Sequence, residues 1–200
     1  MKKSFTLIEL IVVIAIIAIL AAIIAPNAFR AIEKAKITKT IADLKAIKTA
    51  IGAMYADTGK FPSGCIAFTV NDPEVNLDTA QAGLVSEPPV GIFTGATGGT
   101  CEWTQANVNS WDGPYLESGQ VKDVWHSAYH YDPDYYYCIN GYLSPAGDGP
   151  ITNCGDAPVA QTCLEVCGGA FNCGFPVIQS FGPDKSGYGC DDIIVKMTLN

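Results

Sequence analysis

Positive charge is scarce beyond the first third of this chain. Only three lysines follow Lys60, against sixteen acidic residues, whereas eight of the twelve basic residues precede Thr49. An acidic surface repels the phosphate groups of nucleic acids and releases no counterions from them. The composition therefore argues against a nucleic-acid partner.

Residues that carry catalysis or bind metals are also few. The chain has two histidines, His126 and His130, and contains neither a CxxC redox motif nor a CxxCH haem-attachment motif. Two histidines cannot complete a zinc site, and we expect this pair on or near a strand rather than on one helix face. The tyrosines between residues 129 and 137 are predicted to pack in the sheet. With no Ser/His/Asp or nucleophile-elbow pattern, we predict that the protein is not an enzyme.

One long apolar run opens the chain. Residues 5–25 are apolar apart from Thr6 and Glu9. A helix of this length spans roughly 30 Å, the thickness of a bilayer core. Lys2 and Lys3 precede the run, so the positive-inside rule predicts a single pass with a cytoplasmic N-terminus. Basic residues between positions 30 and 48 flank the other end of the run and go against that rule. We give more weight to the basic residues at positions 2 and 3, because a cleavage signal accounts for that leader segment.

Eight cysteines lie in the part predicted to be exported, which favours disulfides over metal binding. The spacing of three residues between Cys163 and Cys167 has no second matched pair to complete a metal site. Eight cysteines allow 105 pairings, among which the sequence does not choose. One pair, Cys65 and Cys101, is predicted because both residues flank one flexible loop. The predicted disulfide cysteines are Cys65, Cys101, Cys138, Cys154, Cys163, Cys167, Cys173 and Cys190.

The patterns predict an α+β fold, in which a long N-terminal helix packs against a small antiparallel sheet with long disulfide-rich loops. We divide the chain into a leader (1–4), a transmembrane and assembly half-helix (5–25), an amphipathic half-helix (26–56) and a head (57–200). Gly59 and Pro62 end the helix. The amphipathic half carries apolar residues at steps of three and four, which need a covering sheet: Ile37, Ile41, Leu44, Ile47, Ile51 and Tyr55.

The head is predicted to begin with a loop-rich region over residues 63–110, with a short helix near 79–85. Strands are predicted at residues 127–132, 135–140, 177–181 and 192–198, and a Gly-, Pro- and Cys-rich loop at 144–175. In the last strand, Ile193, Val195 and Met197 alternate with Asp192, Ile194 and Lys196, which predicts one buried face.

The sequence KKSFTLIEL at residues 2–10 resembles the type IV prepilin signature. The resemblance implies that a prepilin peptidase cuts between Ser4 and Phe5 and that the new amino terminus at Phe5 is methylated. Ser4 departs from the usual glycine before the cut, which implies slower processing. A carboxylate at a bilayer centre costs roughly 2.5–3.5 kcal/mol, so the presence of Glu9 in an apolar membrane segment requires a functional explanation. The resemblance implies that Glu9 acts in assembly, where its carboxylate pairs with the N-terminal amino group of a neighbouring subunit. The alternative is an incidental acid at the interface.

Segments of the head resemble the major pseudopilin of type II secretion systems. They are DTGKFP at residues 57–62, TAQAGL at 79–84, WDGPYL at 111–116 and DVWHSAY at 123–129. We therefore predict a structural subunit of a helical pseudopilus, a homopolymer that also contacts minor pseudopilins or pilins and an inner-membrane assembly platform. The resemblance places it in the bacterial inner membrane with its head in the periplasm. The cysteines and two insertions favour the alternative, a major or minor type IV pilin of a surface filament used in adhesion or motility. A tip adhesin would need an exposed aromatic cleft in residues 64–109.

The segment at residues 180–192 resembles the calcium loop of those pseudopilins. It offers the carboxylates of Asp184, Asp191 and Asp192, and calcium prefers such hard oxygen ligands. We predict a calcium ion bound by these side chains, with backbone carbonyls completing the shell. The alternative is an acidic, solvated turn before the final strand.

Overall fold

The chain forms two compact units, which are described separately. They are Met1–Thr38 and Lys39–Asn200. The computed structural model describes residues 6–66, 72–95, 99–135, 137–139, 142–144, 149–150, 175–185 and 192–197. The predicted α+β class is confirmed, with one long helix and an antiparallel sheet.

The long helix, α1 (Leu7–Thr58), contains 52 residues and so matches the sequence prediction closely at both ends. Its part within the first unit exposes large apolar side chains at almost every position, and none of its most apolar stretch is buried within the chain. In length and composition this stretch is suited to cross a membrane.

Within the second unit, α1 buries one face. Leu44, Ile47, Ile51 and Met54 are all essentially inaccessible to solvent. These positions recur at steps of three and four residues, which brings them to one side of a helix. The predicted amphipathic pattern therefore forms the helical side of the head core.

Five strands make the main sheet of the head, in the order β1 (Val75–Asn76), β4 (His130–Tyr135), β8 (Phe175–Ser180), β9 (Ile193–Lys196) and β7 (Gly149–Pro150). All neighbouring strands are antiparallel. Tyr131 lies opposite Ile178, which lies opposite Val195, and all three are fully buried. Hydrogen bonds tie α1 to residues in and beside this sheet. Lys48 Nζ donates to the carbonyl of Lys196 at 2.8 Å, and the Tyr129 hydroxyl donates to Asp43 at 3.3 Å.

The final strand differs from its prediction. Ile193, Val195 and Met197 are buried as expected, but Ile194 is fully buried as well. Ile194 lies opposite Gln179, whose side chain is also completely inaccessible. The sheet is therefore covered on both faces at this point, and the alternation in the sequence reported only one of them.

The prediction of irregular structure over residues 63–110 was also too simple. This region contains a hairpin, β2 (Gly91–Thr94) with β3 (Thr100–Trp103), and a short helix α2 (Gln105–Asn109). Two 3₁₀ turns, Pro62–Gly64 and Ala80–Ala82, precede them in the chain, and the second lies where the short helix was predicted. A second hairpin pairs β5 (Tyr137–Ile139) with β6 (Tyr142–Ser144).

Candidate functional site: the N-terminal helix and the head surface

Glu9 lies in the first turn of α1, where Thr6 precedes the helix. The carboxylate oxygen Oε2 of Glu9 accepts hydrogen bonds from the Thr6 backbone N–H at 2.8 Å and from its hydroxyl at 2.7 Å. In return, the Glu9 N–H donates to the Thr6 hydroxyl at 3.4 Å. This reciprocal arrangement has the form of a capping box. It satisfies one carboxylate oxygen within the chain, a role for Glu9 that the sequence analysis did not assign.

The segment at residues 57–62 forms the C-terminal end of α1 and the turn that follows it. Gly59 adopts a positive φ of 68°, where glycine ends a helix without strain. The ring of Phe61 then stacks on that of Tyr55, with centroids 4.4 Å apart. Asn107 donates from its side-chain amide to the carbonyl of Thr58 at 2.9 Å and so satisfies one terminal carbonyl of the helix.

The segments at residues 79–84 and 111–116 are hydrogen-bonded to each other. The Trp111 indole N–H donates to the carbonyl of Gly83 at 2.7 Å. The backbone N–H groups of Tyr115 and Leu116 both donate to the carbonyl of Leu84. Between them, the peptide bond from Gly113 to Pro114 is cis. The segments singled out in the sequence therefore assemble into one loop cluster.

Tyr115 fastens this cluster to the helix end. Its hydroxyl donates to the carboxylate of Asp57 at 2.8 Å and accepts from the Asp112 N–H at 3.2 Å. Burial of the ring, together with the hydrogen bond to Asp57 and the charges of Asp57 and Asp112, raises the pKa of Tyr115 to about 12. Both acidic residues are solvent-exposed, so this part of the head presents concentrated negative charge.

Asp123 holds the turn that follows. One carboxylate oxygen accepts from the N–H groups of Trp125 at 2.9 Å and Ser127 at 2.8 Å. The other accepts from the Ser180 hydroxyl at 2.6 Å, where both residues are buried. The aspartate of DVWHSAY therefore joins this turn to strand β8, a structural role that the sequence analysis did not specify.

Cys65 and Cys101, which are 36 positions apart in the sequence, form a disulfide as predicted. A cavity of about 230 Å³ lies beside it, lined by Lys60, Asp72 and Glu102 among others. Burial lowers the pKa of Lys60, while nearby Glu102 acts in the opposite direction. The described lining contains no aromatic side chain, so it does not supply the cleft that a tip adhesin needs. The side chains of the other six predicted disulfide cysteines lie outside the part of the head that the structure describes.

The calcium candidates stay a prediction. Asp184 is exposed in the turn after β8, whereas Asp192 is fully buried immediately before β9. Asp191 lies outside the described residues, as do Ser4 and Phe5 at the predicted cleavage point. An exposed and a buried carboxylate make an incomplete ligand set for an ion that takes six to eight oxygens.

The two histidines do not share a helix face. His126 lies in a turn with a φ of 68°, and His130 lies at the start of β4. Each ring nitrogen of His130 is 3.1 Å from an oxygen, one of Asn76 and one of Glu74. The His130 ring therefore has hydrogen-bond partners in its own sheet, through residues of and beside β1.

Residues 1–25 match the family described as "Prokaryotic N-terminal methylation motif", and residues 31–82 match the family described as "PilW, C-terminal". Fimbrial protein Q of Moraxella bovis is 37% identical over 134 residues, which cover 62% of this chain and 83% of that protein. The chain belongs to the type IV pilin-like family. No solved structure matches it.

A type IV pilin-like chain gives the described surfaces their context. The methylation motif and the apolar part of α1 indicate a membrane-anchored pilin. Pilin-like proteins are structural proteins that assemble into filaments with other pilins, which agrees with the prediction of a structural subunit. The family match ends at residue 82, so the loop cluster around Trp111 and the Asp123 turn lie beyond it.

Proposed function

We propose that this protein is a pilin of a type IV surface filament, inserted in the bacterial inner membrane until it polymerises. One observation carries the proposal: the apolar part of α1 is uncovered in the single chain. Such a surface is stable only in lipid or against other helices, which pack by shape as membrane helices do. The fimbrial relative and the disulfide of the head favour a surface filament, because a filament outside the cell meets harsher conditions.

The orientation and the partners follow from the same segment. Lys2 and Lys3 keep the N-terminus cytoplasmic, and the acidic head lies in the periplasm before assembly. A prepilin peptidase removes residues 1–4 and the amino group of Phe5 is methylated. The assembly platform then adds the subunit to a homopolymer that includes minor pilins.

A second candidate is the major pseudopilin of a type II secretion system. It is favoured by the loop cluster, because three of the four head segments that resemble such pseudopilins meet at the end of α1. Neighbouring genes separate the two functions. A retraction ATPase and twitching genes favour the pilus, whereas a secretin, a secretion ATPase and minor pseudopilins favour secretion.

Glu9 gives the sharpest test of the filament role. We expect Glu9→Ala to insert in the membrane but to form no filaments, because the charge that pairs with the neighbour's amine is lost. Glu9→Gln keeps an oxygen that can accept from Thr6 but removes the charge, so it separates capping from pairing. Glu33→Ala, an exposed acid on the same helix, is the matched control.

Electron microscopy and membrane fractionation would measure filament yield and insertion. Wild-type yield from Glu9→Gln would leave only the capping role for Glu9. Mass spectrometry of the wild-type protein should show loss of residues 1–4 and one methyl group on Phe5. An intact N-terminus in cells with active peptidase would contradict the proposed processing.

A further inference from the structure

Two cations on α1 have no anionic partner within the described part of the chain. Arg30 and Lys34 are both exposed, and no described carboxylate lies within ion-pair distance of either. A spacing of four residues makes them neighbours on one helix face, where like charges repel. Phe29 and Ile32, at 71% and 54% exposure, leave large apolar surface beside them. We call Arg30 and Lys34 the basic face.

The position of these cations is unusual for a membrane anchor. They lie just beyond the apolar run, on the side of the membrane where the positive-inside rule disfavours basic residues. A lysine and an arginine at that point hinder rather than help the predicted orientation. Their role therefore belongs to a later state, in which they contact something that the single chain does not provide.

The head carries the opposite charge. Asp57 and Asp112 are exposed and are held close together, because the Tyr115 hydroxyl bonds to the carboxylate of the first and the N–H of the second. Asp57 also lies in the last turn of α1, which contains no basic residue. An acid at this end adds to the negative pole of the helix dipole. We call Asp57 and Asp112 the acidic corner.

We propose that the basic face of one copy docks on the acidic corner of a second copy. In this contact the two exposed cations of one copy face the two exposed carboxylates of the other, so each surface gains partners of opposite charge. An interface between two different surfaces of identical chains repeats without closing and builds a helical filament. The contact rests on the proposed filament function and adds a residue-level specificity to it.

An anionic lipid surface is the competing partner for the basic face. Phospholipid headgroups would neutralise Arg30 and Lys34 but would leave Asp57 and Asp112 uncompensated. They would also repel the acidic corner wherever it approached the membrane. A second copy of the chain satisfies both surfaces at once, which is why the observations favour it.

Carbodiimide crosslinking of wild-type filaments tests the contact without a mutation. The reagent joins an amine to a carboxylate only where the two touch. Filaments grown from equal amounts of ¹⁵N-labelled and unlabelled subunits distinguish links between copies from links within one. We expect mixed-isotope peptides joining Lys34 to Asp57 or Asp112, and no such link from Lys36, an exposed lysine two residues further along.

Charge reversal provides the second test. Arg30→Glu with Lys34→Glu, or Asp57→Lys with Asp112→Lys, should each lower filament yield at least tenfold while the protein stays in the membrane. All four changes together should restore the yield to within about threefold of wild type. Arg30→Lys and the distant Glu87→Lys are controls that should keep near-normal yield.

The possible outcomes separate the two proposals. Wild-type filaments that lack a link between copies at Lys34, or reversal variants that never rescue one another, would overturn the docking contact alone. Reversal variants that lose binding to anionic vesicles with no change in filament yield would assign the basic face to lipid and overturn it too. Failure of the wild-type chain to form filaments would overturn the filament function and this contact together.

Discussion

Removing the disulfide between Cys65 and Cys101 should destabilise the head without changing its fold. We consider the double variant Cys65→Ala with Cys101→Ala, which avoids a free thiol that could exchange with other cysteines. Both residues are buried, and Cys101 lies on β3, the strand that also carries Trp103. Alanine is apolar and smaller, so neither position acquires an unsatisfied polar group.

The magnitude follows from the length of the closed loop. The two cysteines are 36 residues apart, and in the chain-entropy model a loop of that size stabilises the folded state by about 4 kcal/mol. For a domain of this size, each 1 kcal/mol moves the melting temperature by roughly 2–4 °C. The expected loss is therefore on the order of 8–16 °C, or nearly three orders of magnitude in the folding equilibrium constant.

Trp103 provides the assay, because its indole is fully buried and exposure on unfolding should shift its fluorescence. Urea unfolding of the full chain in detergent, without reductant, gives the midpoint and slope for both proteins. If the disulfide acts on the unfolded state, the variant should refold more slowly while its unfolding rate changes little. A loss under about 1 kcal/mol, or an effect confined to the unfolding rate, would refute this reasoning.

Four further expectations concern the head. Gly64→Ala should lose at least ~2 kcal/mol, because its Cβ would lie 2.7 Å from a backbone carbon, whereas Gly59→Ala, with the same sign of φ but open space, should lose only ~1 kcal/mol in urea unfolding. Asp123→Ala should cost about 2–4 kcal/mol by removing three hydrogen bonds, and the asparagine variant clearly less. The pKa of about 12 for Tyr115 exceeds the usual value of about 10, so the folded state holds the hydroxyl proton to a higher pH than the unfolded state does. The stability that Tyr115 contributes is therefore complete below pH ~10 and falls as the pH rises towards 12. The Tyr115→Phe variant should not show this fall. If the C-terminal loop binds calcium, the ion should raise the melting midpoint with concentration, and Asp184→Ala should weaken that response; no shift in either protein would leave the loop without an ion.

The N-terminal third is the part that the sequence by itself determined. An apolar run, a basic leader and steps of three and four residues are local patterns, and a helix is made by local hydrogen bonds. Leu44, Ile47 and Ile51 therefore lie on the buried face as predicted, and α1 ends within two residues of its predicted end. The pair Cys65 and Cys101 was also predicted, although the two residues are 36 positions apart, because both flank one flexible loop.

Only the tertiary structure decided the rest of the head. Whether Ile194 is buried depends on what covers the far side of its sheet, and alternation along one strand cannot report it. The hairpin around Cys101 pairs short strands that carry little periodicity of their own. The roles of Tyr115 and Asp123 depend on partners 58 and 57 residues away in the chain. Such contacts form only when folding brings distant segments together. The sequence motifs therefore singled out these segments, but their structural roles are visible only in the folded head.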